Sequence, residues 1–290
     1  MAMPRDIKAI DLMMGIPVSA TNEEWHDFIK PLLMDRESRE QFKMPAQYMF
    51  KEIPHLKDLG DAMDFLVTHM DRHNIEMALV GLDERWESGT FQGHRHAHRF
   101  LLDCIANPNR GMDEVRRIKR LHREFGIKSV EVFPSGQFPQ VAINDKKMYP
   151  LYATCVELDL PILINAGVPG PRVPMLVQHV EHIDEVCWFF PELKFVMRHG
   201  AEPWDALAVK LMLKYPNLYY STSAFAPKHY PKAVIDYANT RGAEKILYAG
   251  YFPMGLSLDR IFAELENVPF REHVWPKFLR ENAKRVFKID

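Results

Sequence analysis

The feature that most constrains the fold is a regular alternation of short apolar runs with segments of helical spacing. Continuous apolar runs of this length are typical of strands buried on both faces. Because such an alternation builds parallel sheets, we predict an α/β fold, a single (β/α)8 TIM barrel, with an open doubly wound sheet as the competing arrangement. The eight predicted strands are residues 8–14, 77–81, 100–106, 129–133, 161–165, 195–199, 218–223 and 246–250.

One long segment interrupts the alternation after the first strand. Residues 15–56 show no clean strand pattern, and their aromatic residues are scattered among charges and prolines. Long segments of this kind inside a compact domain are commonly active-site lids or binding surfaces. We predict that 15–56 is a lid or a subunit interface within one barrel domain spanning 1–290. The barrel is expected to end in extra helices at 258–265 and 274–287.

The charge balance and the cysteines narrow the class of protein. A net charge of -2 over 290 residues gives no reason to expect nucleic acid or an anionic membrane as partner. Three scattered cysteines have no metal-like spacing and indicate reduced, buried thiols, and neither a signal core nor an apolar run of about 18 residues is present. No helix opens with the Gly-x-Gly-x-x-Gly pattern of a dinucleotide site. We expect a cytoplasmic protein that binds a small molecule.

A polar stretch at the end of the sixth strand is the best candidate for a site. Ligands meet side chains at the carboxyl ends of parallel strands, and Arg198, His199 and Gly200 stand at such an end. Strand alternation predicts that His199 faces the barrel mouth together with Met197, whereas Arg198 points away or upward. By the same rule Glu131, Asn165 and Tyr251 are expected to face inward.

The order of the strand endings resembles the amidohydrolase superfamily. The resemblance rests on the segments 126–134, 160–165, 199–204, 217–223, 245–253 and 281–287 and covers nearly the whole chain. It is strongest for the amidohydrolase-related group that includes aminocarboxymuconate semialdehyde decarboxylase, resorcylate-type decarboxylases and pyrone dicarboxylate lactonase. The resemblance implies a TIM barrel, an acid, base or polarising role for His199, and a divalent metal at the mouth.

The positions that match the family's metal ligands carry other residues. The His-x-His of the first strand is matched by Met13 and Gly15, the fifth-strand histidine by Asn165, and the eighth-strand aspartate by Tyr251. A site of this class needs several nitrogen or oxygen ligands, and a thioether and a glycine are poor replacements. We therefore predict that the usual metal centre is absent and that no cofactor is used.

We predict His199 as the catalytic residue, because a histidine works as acid or base near neutral pH. Asn165 and Tyr251 are expected to bind substrate oxygens or to fill the space of the metal. For Glu131 an acid/base role competes with an ion pair, and for Arg198 a substrate-carboxylate clamp competes with a buried, outward ion pair. The predicted substrate-binding residues are Asn165, Tyr251, Arg198, Glu131, Met13 and Ser223.

A cluster of three histidines precedes the third strand. His94, His96 and His98 alternate in sequence, and on a helix His94 and His98 share a face. A solvated helix face is the expected structure, and a metal site is the competing possibility.

Together these patterns predict a metal-independent hydrolase or lyase acting on a small cyclic or aromatic carbonyl or carboxylate compound. Decarboxylation is the nearest rival reaction. Two further functions stay open: a metal-dependent enzyme with a rebuilt site, and an inactive barrel serving as a ligand-binding or partner subunit. By analogy with the family, a homodimer or a higher homo-oligomer is expected.

Overall fold

Eight parallel strands form one sheet whose order follows the chain from β1 to β8. The computed structural model describes residues 3–17, 23–40, 44, 46–50, 53–54, 56, 60–82 and 91–290, without the side chains of 23–26. The sheet closes on itself, because Leu12 N donates to Tyr248 O at 3.3 Å and Gly15 N to Phe252 O at 3.0 Å. The strands are β1 Ala9–Met14, β2 Ile75–Leu82, β3 Phe100–Ile105, β4 Ser129–Val132, β5 Ile162–Asn165, β6 Phe195–Arg198, β7 Leu218–Ser221 and β8 Ile246–Leu247.

Helices connect most of the strands, and local signals fix where several of them begin and end. Asp61 caps the second helix by accepting from Met63 N and Asp64 N, and Gly126 ends the third in a left-handed conformation. The α-helices of the described residues are α1 Arg36–Glu40, α2 Ala62–Arg72, α3 Met112–Phe125, α4 Tyr149–Glu157, α5 His182–Phe189, α6 Asp205–Lys214, α7 Lys232–Tyr237, α8 Leu258–Leu265 and α9 Asn282–Phe287. Among them none is long and apolar enough to cross a membrane.

Alternation along the strands divides the core into two clusters. One fills the barrel interior with residues such as Leu12, Leu163 and Val196, and the other lies between the strands and the helices. Val286 and Phe287 of α9 belong to the interior cluster. Since Lys194, which precedes β6, donates to Val286 O, α9 lies at the amino ends of the strands. The opposite end, where the strands finish, is left for a binding site.

The described part of the 15–56 segment packs over that opposite end. The Tyr48 hydroxyl donates to Gly170 O at 2.7 Å, and the Phe50 ring lies 5.5 Å from the Tyr251 ring. Arg172 donates to Asp35 at 2.8 Å and to Glu37 at 3.0 Å. These contacts place the segment where a lid would lie, and the role as a subunit interface stays a prediction. Residues 18–22, 41–43, 45, 51–52 and 55 of the segment lie outside the described residues.

The predicted fold is confirmed. All eight strands occur where the apolar runs placed them, and their neighbour order is that of a TIM barrel rather than an open doubly wound sheet. Except for β2, the strands are shorter than their apolar runs, by one residue at β6 and by three at β8. This shortening changes which side chains face the mouth.

Candidate active site at the barrel mouth

A cavity of about 1010 Å³ opens at the carboxyl ends of the strands. Its walls are rich in aromatic rings, from Phe28 and Phe50 of the 15–56 segment and from Phe133, Phe138 and Phe225 of the barrel loops. A cluster of polar lining residues comes from the strand ends. Those polar residues include Asp103, Glu131, Asn165, Arg198, His199 and Tyr251. Such a cavity suits a flat, largely apolar molecule with a few oxygen atoms.

Arg198 lies at the centre of this polar group. Its side chain is only 3% exposed, pairs with the Glu131 carboxylate and also contacts Met13 Sδ. Of the two orientations expected for Arg198, away from the mouth or upward, the first is wrong. Because β6 ends at Arg198, the alternation places Val196 and Arg198 inside and Met197 outside, against the helices. For Glu131 the geometry shows the ion pair.

His199 follows β6 in a left-handed conformation with φ +62°. A positive φ is uncommon for residues other than glycine, and here it lets the side chain enter the mouth next to Arg198. Ser223 Oγ lies 3.2 Å from His199 N and 3.0 Å from Nδ1, and the Tyr251 ring packs edge-to-face at 5.9 Å. Burial, together with the neighbouring Arg198 charge, lowers the pKa of His199 to about 3. The imidazole is therefore neutral at neutral pH and has one unprotonated ring nitrogen.

Ser223 was predicted to bind substrate, and the structure places it outside the cavity lining. The residue is completely buried, and its hydroxyl is bonded to both the main chain and the ring of His199. It lies behind the histidine and does not border the cavity. Ser223 thus orients His199, which leaves Nε2 of the ring as the nitrogen for a ligand.

Asp103, at the inner face of β3, is a site residue that the sequence reasoning missed. It borders the cavity, is 2% exposed and accepts from Ser129 Oγ at 2.7 Å. Burial and the adjacent Glu131 carboxylate raise the pKa of Asp103 well above its usual range. A signal existed in the sequence, because an aspartate inside the apolar run 100–106 shares the face of Leu101, which lies in the interior cluster.

Glu131 behaves in the opposite way to Asp103. Burial alone would raise its pKa, but the Arg198 guanidinium and a hydrogen bond with Asp103 outweigh burial and lower it. The pKa values of the two carboxyl groups therefore move in opposite directions, that of Asp103 upward and that of Glu131 downward. Pairs of titratable groups separated in this way are common in active sites.

The remaining predicted substrate-binding residues also border the cavity. Asn165 ends β5 and is 7% exposed, and Met13 lies on β1 against Arg198. Burial raises the pKa of Tyr251 to about 12, so its hydroxyl keeps its proton and can donate a hydrogen bond. The mouth therefore brings together all the predicted residues except Ser223. Their roles toward a substrate stay predictions.

The donors at the mouth do not fit the divalent metal that the resemblance implies. Met13 offers a thioether, Gly15 no side chain, and Asn165 a neutral amide. The permanently charged guanidinium of Arg198 lies between Met13 and Glu131, so a second cation there would meet direct repulsion.

A separate group of ionisable side chains surrounds the start of α2, outside the cavity. Asp61 and Asp64 approach His94 Nε2 at 3.2 and 3.8 Å, and Asp64 lies 3.3 Å from His96 Nε2. Asp61, Asp64 and His94 have the spacing of a possible metal-binding group, although Asp64 is also paired with Arg95. The expected sharing of a helix face by His94 and His98 is wrong, because the only helical turn within residues 91–99 is the short one at Ala97–Arg99.

Comparisons with known proteins agree with this architecture. A family model described as Amidohydrolase matches residues 60–289, and no curated protein matches the chain. An uncharacterised TIM-barrel protein from Bordetella bronchiseptica is 21% identical with a TM-score of 0.72, covering 97% of this chain and 99% of that one. A 5-carboxyvanillate decarboxylase from Novosphingobium aromaticivorans is 15% identical, with a TM-score of 0.68 and 98% of each chain covered.

A probable 2-pyrone-4,6-dicarboxylic acid hydrolase from Acinetobacter baumannii is 12% identical. Its TM-score is 0.63, with 98% of this chain and 100% of that chain covered. At these identities the solved structures show the shared fold. The family model shows the family, because it matches most of the chain. The chain belongs to the amidohydrolase family.

Proposed function

We propose that this protein is a metal-independent hydrolase that cleaves a carbon–oxygen bond in a small cyclic or aromatic ester or lactone, preferably one that carries a carboxylate. The observation that carries the proposal is the position of the Arg198–Glu131 pair beside neutral His199, within one aromatic-walled cavity. Similar structures belong to 2,6-dihydroxybenzoate decarboxylase and a probable 2-pyrone-4,6-dicarboxylic acid hydrolase, whose names imply small cyclic carboxylates.

In this proposal His199 acts as the base. Its Nδ1 is bonded to Ser223, so Nε2 is available to take a proton from an attacking water molecule. The Glu131 carboxylate acts on His199 in the direction that favours the imidazolium formed in this step. A positioned acid or base of this kind typically accelerates a reaction by about 10²- to 10⁴-fold.

Arg198, Tyr251 and Asn165 supply the stabilisation of the substrate oxygen. As water adds to the carbonyl carbon, negative charge grows on the carbonyl oxygen, and fixed donors stabilise it more strongly than they stabilise the starting ester. Loss of one such donor commonly lowers kcat by about 10²- to 10³-fold. The aromatic walls would hold the ring in place and exclude bulk water, which strengthens these interactions.

Decarboxylation is the second candidate, favoured by the fold shared with 5-carboxyvanillate and 2,6-dihydroxybenzoate decarboxylases. One 5-carboxyvanillate decarboxylase structure carries manganese. Here the cation at the mouth is Arg198, which binds a carboxylate but cannot accept a lone pair as a Lewis acid does. That difference is the reason for ranking hydrolysis first.

The test uses protein purified without added metal, assayed on a panel of aromatic esters, lactones and hydroxybenzoates, with elemental analysis of the same sample. We expect ester or lactone turnover that a chelator leaves unchanged and that His199→Asn lowers by about 100-fold or more. Asparagine is chosen because it tolerates a positive φ. Exposed His98, outside the cavity, provides the control His98→Ala, which should retain full activity.

Two results would contradict the proposal. Stoichiometric metal together with loss of activity on chelation would favour a metal-dependent enzyme and direct attention to Asp61, Asp64 and His94. Binding of the panel compounds without any turnover would favour an inactive ligand-binding barrel.

A further inference from the structure

Three charged or ionisable side chains from three different strands meet beneath the mouth. Asp103 of β3, Glu131 of β4 and Arg198 of β6 all point into the barrel. Glu131 is paired with Arg198 on one side and hydrogen-bonded with Asp103 on the other. Ser129 Oγ holds one oxygen of Asp103 at 2.7 Å. The group is therefore a continuous row from Ser129 to Arg198 rather than a set of separate contacts.

The charges in this row do not balance unless one carboxyl group is protonated. Two carboxylates and one guanidinium would leave a net negative charge in a site where Asp103 is 2% and Arg198 3% exposed. Two adjacent carboxyl groups that cannot both ionise share a single proton. Glu131 holds the guanidinium, so the proton lies on the Asp103 side of the pair.

We propose that Asp103 is the proton donor of this active site and that the adjacent Glu131 carboxylate, which is paired with Arg198, keeps it protonated for that task. The proposal rests on the proposed hydrolysis and gives it the acid partner that His199 needs. A donor beneath the mouth matters for a substrate whose leaving oxygen is a poor leaving group, such as an alkyl alcohol or the ring oxygen of a lactone. The preferred substrates are thus lactones and unactivated esters.

The step is balanced without any further reactant. Water adds to the carbonyl carbon while His199 takes one of its protons, and the new carbon–oxygen bond forms. The bond to the leaving oxygen then breaks, and that oxygen takes the Asp103 proton, so an acid and an alcohol are produced. His199 finally returns its proton to the Asp103–Glu131 pair, which restores the starting state.

Other groups near Asp103 do not replace it in this role. Arg198 from β6 opposes the protonated form, and Ser129 from β4 is a hydrogen-bond donor to Asp103. From the helix layer, the Cys155 thiol is completely buried and outside the cavity, and burial raises its pKa. His199 is neutral because its pKa is lowered to about 3. Tyr251 also borders the cavity and keeps its proton, but burial raises its pKa to about 12, so the Asp103 carboxyl group is the stronger proton donor.

The experiment has one part that needs no substrate. With ¹³C-labelled aspartate, NMR at pH 8 should show a protonated carboxyl group in the wild type that is missing in Asp103→Asn. At that pH Asp11, the other described aspartate with a strongly raised pKa, is ionised, since its pKa is about 6. Asp236→Asn, at an exposed ion pair, is the control and should keep the signal. A wild-type protein without the signal overturns the assignment.

The second part compares esters that differ in their leaving group. Asp103→Asn should lower kcat by about 100-fold or more for an alkyl ester or lactone, but by less than about fivefold for a nitrophenyl ester, which needs no acid. Equal losses for both esters, or no loss, would contradict the donor role and leave the proposed hydrolysis intact. Absence of turnover by the wild type on every ester and lactone would instead contradict the hydrolysis itself, and the NMR signal would then decide the protonation of Asp103 alone.

Discussion

Arg198 of β6 reaches past β5 to the carboxylate of Glu131 on β4, so one ion pair ties together two strands that are not neighbours in the sheet. The pair lies under the mouth of the cavity, beside His199, whose imidazole is neutral at neutral pH. A ligand in the cavity would therefore meet a fixed guanidinium and a fixed carboxylate next to the histidine.

Removing Arg198 should destabilise the protein more than removing the charge of Glu131. Arg198→Met leaves two buried carboxyl groups without a cation, and we expect a loss of about 3–5 kcal/mol in the free energy of unfolding. Glu131→Gln leaves Asp103 next to Arg198, so Asp103 can ionise and take over the pairing, and the loss should be clearly smaller. Urea unfolding at pH 8 measures both values. Equal losses would show that Asp103 does not respond to its neighbour.

Removing the Ser223 hydroxyl should disturb His199 without removing it. Ser223→Ala breaks the contacts to the main chain and to Nδ1 of His199, so the ring loses its fixed orientation. We expect kcat to fall by about tenfold or more with little change in KM, since Ser223 does not border the cavity. Ser221→Ala, at a buried serine that ends β7 two residues before Ser223, is the matched control. A changed KM with unchanged kcat would argue for direct substrate binding by Ser223.

Asp11 should make the protein less stable as the pH rises from about 4 to 6. The residue is completely buried in β1, and burial raises its pKa from 3.8 to about 6 despite hydrogen bonds from Gly250 N and Met13 N. The folded state therefore holds a proton that the unfolded state has already lost, and the free energy of unfolding falls by about 2 kcal/mol across this window.

The variant Asp11→Asn keeps an acceptor oxygen for both backbone groups but cannot ionise. In this variant the fall in the free energy of unfolding that Asp11 causes between pH 4 and 6 should disappear. At pH 8 the variant should therefore be more stable than the wild type. Chemical unfolding at pH 4, 6 and 8 provides the comparison. A variant that stays less stable than the wild type at pH 8 would show that the carboxylate is favourable there.

The contacts of the 15–56 segment should control its opening. Tyr48 donates to Gly170 O, and Arg172 pairs with Asp35 and Glu37 and lies over the Tyr48 ring. The ion pairs are partly exposed and worth only about 0.2–1 kcal/mol each, so their loss should affect the segment and not the barrel. Tyr48→Phe combined with Arg172→Met should increase protease cleavage within 15–56 several-fold at unchanged thermal stability. Lys232→Met is the control, because its ion pair lies on α7. Equal cleavage of variant and wild type would contradict a closing role for these contacts.

The fold was predictable because burial on both faces gives each parallel strand an apolar run that is visible in the sequence. Runs 161–165 and 195–199 give the correct strands to within one residue at either end. The orientation of Arg198 was not predictable in the same way. The prediction assumed that side chains alternate between inward and outward as far as His199. The strand ends one residue earlier, and the positive φ of His199 breaks the alternation there.

The polar network below the mouth depends on contacts between distant parts of the chain. Nothing near Asp103 in the sequence indicates that Glu131 and Arg198 will lie beside it, because the register of three strands brings them together. Ser223 was recognised as a residue near the mouth, yet its partner His199 is 24 positions away. The candidate residues at each strand end could be predicted from the sequence. The hydrogen bonds that suggest their roles form only in the closed barrel and could not be predicted.

The guanidinium of Arg198 gives the mouth a property that an exchangeable ion cannot give. It is attached to the chain and does not lose its proton under ordinary conditions, so it is present once in every folded molecule. Its charge does not vary with the ions available during expression, and dialysis does not remove it. Separate preparations of this protein should therefore be uniform at the mouth without any reconstitution step.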